Sequence, residues 1–163
     1  MTPPPAYIIT SCGKTKHPGP APARYFYKGP FISTLNKVAA ALRSRHGQLI
    51  LSNKHGYMRP NHIIPGPYDS HWGYPDTMPD ADLLRQIDTL NLRPGDYVVC
   101  LGAREYARQT RRLFPPGVKV IWPALHLTNK GMGHQQKMMN RWLLTRSIPN
   151  HCLTHCEFTR SMV

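Results

Sequence analysis

Gln48-Leu49-Ile50-Leu51-Ser52-Asn53-Lys54-His55-Gly56 decides the reading of this chain, because an apolar run breaks abruptly into a hydroxyl, an amide, an ammonium and an imidazole. Gln48 to Leu51 reads as a buried strand. The polar run continues through Tyr57 and a proline-rich stretch to Pro67-Tyr68-Asp69. In an open parallel sheet, ligands bind just past the carboxyl ends of the strands. Ser52, Asn53, Lys54, His55 and Gly56 are therefore expected to be displayed at such an edge. A plain solvated loop after a strand is the alternative.

Three further apolar runs end in the same manner. Ala6 to Ser11 leads into Ser11-Cys12-Gly13-Lys14-Thr15-Lys16-His17, where a glycine turn is surrounded by lysines and hydroxyls. Such a turn can hold a phosphate, although it lacks the glycine and Lys-Ser/Thr spacing of a P-loop. Tyr97 to Leu101 ends at Gly102, and Val118 to Trp122 leads through Pro123 to Lys130 into Gly131-Met132-Gly133-His134-Gln135. Paired glycines before a helix permit close backbone approach to a ligand.

Helices are expected between these strands. Phe31 to Arg45 carries Phe31, Leu35, Val38, Ala39 and Leu42 at helical spacing, and Asp80 to Leu90 carries Leu83, Leu84, Ile87 and Leu90. Ala103 to Leu113 bears Arg104, Arg108, Arg111 and Arg112, read here as a phosphate-facing surface, with solvated arginines as the plainer alternative. A last helix runs from the Gly131 turn to about Leu144. Strands alternating with helices imply one α/β domain: a mainly parallel sheet of four to five strands, helices on both faces, a core over residues 6 to 144 and a tail over 145 to 163. Right-handed crossovers would bring Ser11 to Lys16, Ser52 to Asp69, Gly102 to Tyr106 and Lys130 to Gln135 to the rim of one crevice.

Composition narrows the partner. The 163 residues hold 21 lysines and arginines against 8 acidic residues, for a formal charge of +13. A polyanion is the partner this favours, DNA first and RNA second. Arg24, Tyr25, Tyr27 and Lys28, in the proline-rich connection from Pro18 to Pro30, mix cations and aromatics in the way that suits phosphates and exposed bases. No stretch has the length or polarity split of a membrane segment. The N-terminus lacks a basic region followed by an apolar run, and the irregular spacing of Cys12, Cys100, Cys152 and Cys156 suggests no disulfide framework. A cytoplasmic protein with reduced thiols is expected. His151, Cys152, His155 and Cys156 have no second half-site, so neither a metal nor a cofactor is assigned.

The scarcity of carboxylates narrows the chemistry. Asp80, Asp82 and Asp88 belong to a helix surface, Asp96 to a turn and Glu157 to the tail, which leaves Asp69, Asp76 and Glu105 near the crevice. Asp69 reads either as the group that stabilises a sugar cation or activates its attacker, or as a turn cap or arginine partner. Lys54 and His55 are candidates to assist a departing base, and a desolvated Lys54 is a candidate nucleophile.

Ser11 to Lys16, Leu51 to Gly56 with Tyr68 and Asp69, Leu101-Gly102 with Tyr106, and Gly131-Met132-Gly133 with Gln135 together resemble a family of small phage and bacterial domains. That family is similar to the peroxide-stress protein YaaA and to domains accompanying archaeosine and 7-deazaguanine transglycosylases. The resemblance implies a Rossmann-like domain and chemistry on nucleic-acid bases. The expectation is an enzyme on the N-glycosidic bond of DNA, excising a base or exchanging it for one such as a 7-deazaguanine. Asp69 supports the sugar cation, Lys54 and His55 assist the base, and Ser11, Lys14 and Lys16 hold a phosphate. A non-catalytic nucleic-acid-binding domain and an enzyme on free nucleotides or nucleosides are the rivals.

Overall fold

The computed structural model describes residues 2–127 and 131–163. Its strands are β1 (Tyr7–Ser11), β2 (Ala21–Pro22), β3 (Gln48–Ser52), β4 (Gly56–Met58), β5 (Ile63–Ile64), β6 (Tyr97–Leu101) and β7 (Lys119–Ile121). Its helices are α1 (Ala23–Phe26), α2 (Pro30–Ala41), α3 (Asp80–Asp88), α4 (Arg104–Leu113), α5 (Met132–Thr145) and α6 (Asn150–His155). Five strands form one sheet in the order β4-β3-β1-β6-β7, and β2 pairs separately with β5. Strands β3, β1, β6 and β7 run parallel. The fold is thus α/β, built on a five-stranded and mostly parallel sheet.

The apolar runs lack a polar alternation because both faces of the sheet are covered. Ile8, Ile50, Val99, Leu101 and Ile121 pack with Leu35 and Val38 of α2 and Met139 and Trp142 of α5. Tyr7, Ile9, Leu49, Leu51, Val98, Cys100 and Val120 pack with Leu83 and Ile87 of α3 and Ala107 of α4. From β1 the chain passes to β3 on one side and then crosses to β6 on the other. The winding therefore reverses at β1, and a crevice opens above the carboxyl ends of β1 and β6.

Several expectations are corrected. The displayed segment after β3 is a hairpin turn, because β4 doubles back antiparallel with Ser52 opposite Gly56. Helix α2 stops at Ala41, short of Arg45: Leu42 turns extended and into the core, and the amides of Arg45 and His46 bond the carbonyls of Pro5 and Ala6. The tail, expected as part of the same single domain, pairs with β7 through a bridge between Glu157 and Ile121. The amide of Phe158 bonds the Val120 carbonyl, that of Trp122 bonds the Cys156 carbonyl, and the Phe158 ring lies fully buried edge-on to Trp122. Thr128, Asn129 and Lys130, on the expected approach to the Gly131 turn, lie outside the described residues. No helix among the described residues is long and apolar enough to cross a membrane.

Candidate functional site at the sheet switch point

The crevice is a cavity of about 540 Å³. Its floor begins at the end of β1, where the Cys12 amide donates to the Leu51 carbonyl of β3. Gly13 follows because the chain runs against α2: a Cβ there would lie 2.9 Å from Ile32 Cγ1. The lysine turn is then clamped by a bridge between Lys16 and Tyr27 and by the Lys28 amide bonding the Thr15 carbonyl. Lys14, exposed, and Lys16, half-buried, line the cavity beside Gly13.

The end of β3 supplies a hydrogen-bonded wall. Ser52 and Asn53 are buried. Asn53 Nδ2 donates to Ser70 Oγ at 2.7 Å, and Ser70 donates onward to Asp76 at 2.6 Å. Ser52 Oγ accepts from the amides of Lys54 and His55, which holds the hairpin turn closed, and meets the Tyr68 hydroxyl at 2.6 Å. Tyr68 continues the chain to the Tyr27 hydroxyl. Burial keeps both phenols protonated, pushing Tyr27 up to about 12 and Tyr68 higher still. Above the Tyr68 ring stand two ammonium groups, Lys16 at 4.6 Å and Lys54 at 5.4 Å from its centroid.

The other wall comes from β6 and α4. Gly102 is required by a φ of 127° and by Ser11, whose Oγ would lie 2.5 Å from an added Cβ. This close approach brings α4 over the end of β1, so that the Tyr106 hydroxyl meets Cys12 Sγ at 3.0 Å. Trp72, from the long connection between β5 and α3, packs edge-on to Tyr106 at 6.1 Å and completes the wall. Burial raises the Cys12 thiol, with the Tyr106 bond opposing, and raises Tyr106 as well. Both groups are therefore protonated at neutral pH, one donating to the other. Glu105 and Asp69 bring carboxylates to the same cavity. Glu105 accepts from Gln109 and faces Arg108 at 3.6 Å, while the Asp69 side chain is 96% exposed and lies 3.8 Å from His71.

The structure thus gathers Cys12, Gly13, Lys14, Lys16, Asn53, Asp69 and Tyr106 around one cavity, with Ser11, Ser52, Tyr68 and Gly102 directly behind it. Other expected residues fall elsewhere. Gly56 is a packing residue: it sits at φ 70°, where a Cβ would strike the Gln86 side chain that bonds both the Tyr57 amide and the His55 carbonyl. Lys54 and His55 stand outside the cavity lining, and His55 Nε2 is enclosed without a hydrogen-bond partner among the described residues. Gly131 and Gly133 are exposed, Gln135 is buried, and none of the three lines the cavity.

The arginines of α4 do not form one phosphate-facing surface. Arg111 is 3% exposed and donates to the carbonyls of Val118, Phe114 and Pro115. Arg112 grips Asp80 with two hydrogen bonds, Arg108 faces Glu105, and Arg104 lies over the Phe158 ring and bonds the Met162 carbonyl. Helical spacing spread these side chains around the axis, and three of them met partners from elsewhere in the fold. Ser70 and His71 are lining residues that sequence reasoning missed; their only signal was adjacency to Asp69. In the tail, Cys152 and Cys156 turn inward, and His155 Nδ1 meets the His151 carbonyl. No group of three or more His, Cys, Asp or Glu that could hold a metal occurs among the described residues.

Residues 7–141, which carry every wall of this cavity, match a family described as "Family of unknown function (DUF6884)". The chain is also similar to the uncharacterized protein YfjM of Bacillus subtilis (strain 168), at 28% identity over 141 residues, which cover 82% of this chain and 91% of that protein. With the match spanning β1 to α5, the chain belongs to the DUF6884 family.

Proposed function

We propose that the crevice receives one nucleotide unit of DNA and acts on its N-glycosidic bond, excising the base or exchanging it for one such as a 7-deazaguanine. One observation carries this reading: cations, protonated donors, an aromatic wall and carboxylates converge on a single cavity of about 540 Å³, a size in the usual range for small-molecule sites. Lys14, Lys16 and the Gly13 backbone hold the phosphate. Trp72 and Tyr106, together on one wall, lie against the base, which has been turned out of its stack. Asp69, with Glu105 in the same lining, stabilises the cation that forms at the sugar as the bond to the base breaks. The electron pair of that bond leaves with the base, and the Cys12 thiol and Tyr106 phenol hydrogen-bond it as it departs. Water or an incoming base then adds to the sugar carbon and gives up one proton, which the departed base anion takes, so that charge and protons balance. Lys54, set over Tyr68 outside the cavity, serves a flanking phosphate rather than the base.

The resemblance to YaaA and to the transglycosylase-associated domains supports the same reading. The reversal of winding beside β1 in the sheet order β4-β3-β1-β6-β7 is a feature that supports reading the domain as Rossmann-like. A cytoplasmic setting fits four cysteines without a disulfide among them. A non-catalytic nucleic-acid-binding domain is the second reading, favoured by the 96% exposure of the Asp69 side chain, since catalytic carboxylates are commonly desolvated.

The test is incubation of the protein with single- and double-stranded DNA, with and without 7-deazaguanine bases, followed by nucleoside mass spectrometry and an abasic-site assay. A released or exchanged base supports glycosidic chemistry. Full turnover by a folded Asp69→Asn protein removes Asp69 from the mechanism, and bound but intact DNA moves the assignment to the binding domain.

A further inference from the structure

Two sets of five among the 21 lysines and arginines contrast in what they meet. Arg45, Arg85, Arg108 and Arg112 are each paired with a carboxylate, and Arg111 is spent on buried carbonyls. Lys14, Lys16, Arg24, Lys28 and Lys54 form no ion pair among the described residues, and all five lie on segments that meet at Tyr68 or Tyr27. This second group is continuous with the crevice: Lys16 lines the cavity, stands over Tyr68 and bridges to Tyr27, next to Lys28.

The short helix α1 extends that surface outward. Its first amides are fixed by outside carbonyls, Ala23 to His62 and Arg24 to Pro60, and β2 anchors it to β5. Phe26 and Tyr27 turn inward, with Phe26 parallel to the Tyr68 ring at 6.4 Å. Arg24 and Tyr25 are thereby left facing out. Tyr25 is 61% exposed, and the Arg24 guanidinium lies over its ring at 4.8 Å. A rigidly mounted, exposed aromatic with a cation stacked on it, at the end of a lysine path, is the arrangement that binds unpaired bases.

We infer that Lys16, Lys54, Lys28 and the Arg24-Tyr25 platform form a track for single-stranded DNA, along which a strand leaves the crevice with a neighbouring base stacked on Tyr25. Duplex DNA fits less well, because its bases are already stacked on one another and offer Tyr25 no open face. The track rests on the crevice receiving one nucleotide of the same strand.

The experiment is fluorescence anisotropy with a fluorescein-labelled 12-mer of oligothymidylate, the corresponding duplex, and thymidine monophosphate followed by calorimetry. Tyr25→Ala should weaken the 12-mer about tenfold, the loss of one stacked base, and Tyr25→Trp should restore it. Arg24→Ala with Lys28→Ala should lower the salt dependence of binding. Neither change touches the crevice, so affinity for the monophosphate should hold. An unchanged 12-mer affinity in Tyr25→Ala, or tighter binding of the duplex, overturns the track. If the monophosphate binds but the 12-mer binds no more tightly, the track fails and the crevice reading stands. If the 12-mer binds through Tyr25 while the monophosphate does not bind, the track stands and the crevice reading fails.

Discussion

Replacing Ser52 with alanine tests whether the crevice wall and the hairpin turn are one hydrogen-bonded unit. Ser52 is fully buried, and its Oγ accepts the Lys54 amide at 3.1 Å and the His55 amide at 3.2 Å while meeting the Tyr68 hydroxyl at 2.6 Å. The alanine leaves two turn amides and one phenol short of a partner. Each buried donor left unpaired costs about 1–3 kcal/mol. The two amides are only half-buried and recover part of this from water, and Tyr68 keeps Tyr27. The expected loss is therefore about 2–4 kcal/mol. Tyr68→Phe removes the phenol but leaves Ser52 both amides, so it should cost about 1 kcal/mol. The double variant should cost less than the sum of the two, because one bond is counted twice. Urea unfolding followed by tryptophan fluorescence, at constant m-value, measures all three. A Ser52→Ala cost below about 1 kcal/mol, or no larger than that of Tyr68→Phe, would refute the reasoning.

Two further outcomes follow from the same geometry. Arg111→Ala should lose about 2–4 kcal/mol in the same assay, because the carbonyls of Val118, Phe114 and Pro115 lose their donor; affinity for oligothymidylate should not change, since the guanidinium faces inward. Stability should also fall on acidification from about pH 7.5 to 5.5. His55 is lowered from its ordinary 6.5 by burial first and then by the charges of Lys54 and His62, so below that value the unfolded chain takes up a proton that the folded one resists. His55→Gln should flatten this part of the profile, as thermal unfolding across the pH range will measure; an unchanged slope would mean that His55 titrates alike in both states.

Much of the fold was legible in the chain. Tyr97 to Leu101 occupies the expected strand, and the four parallel strands lie where apolar runs meet polar turns, because strands buried on both faces must be apolar at successive positions. The hairpin at Gly56 was not legible. Gly56-Tyr57-Met58 is too short to carry a period, and its pairing with β3 is supported by Gln86, 29 residues further along, which bonds the Tyr57 amide. The end of α2 was also misread, since nothing local stops the helix before Arg45; it ends where the chain satisfies the carbonyls of Pro5 and Ala6.

The sequence by itself determined the class of the fold and most of the crevice: apolar run lengths select buried strands, and the polar residues after each strand are carried to one edge by parallel winding. Cys12, Lys14, Lys16, Asn53, Asp69 and Tyr106 were found that way. Only the tertiary structure decided which cations are free. Arg104, Arg108, Arg111 and Arg112 read alike on a helix, yet Arg111 is buried and Arg112 is held by Asp80, while Arg24 and Lys28, within a connection without periodicity, are exposed and form no ion pair among the described residues. The physical reason is that charge is a property of composition, whereas its neutralisation depends on carboxylates and carbonyls brought close by chain folding.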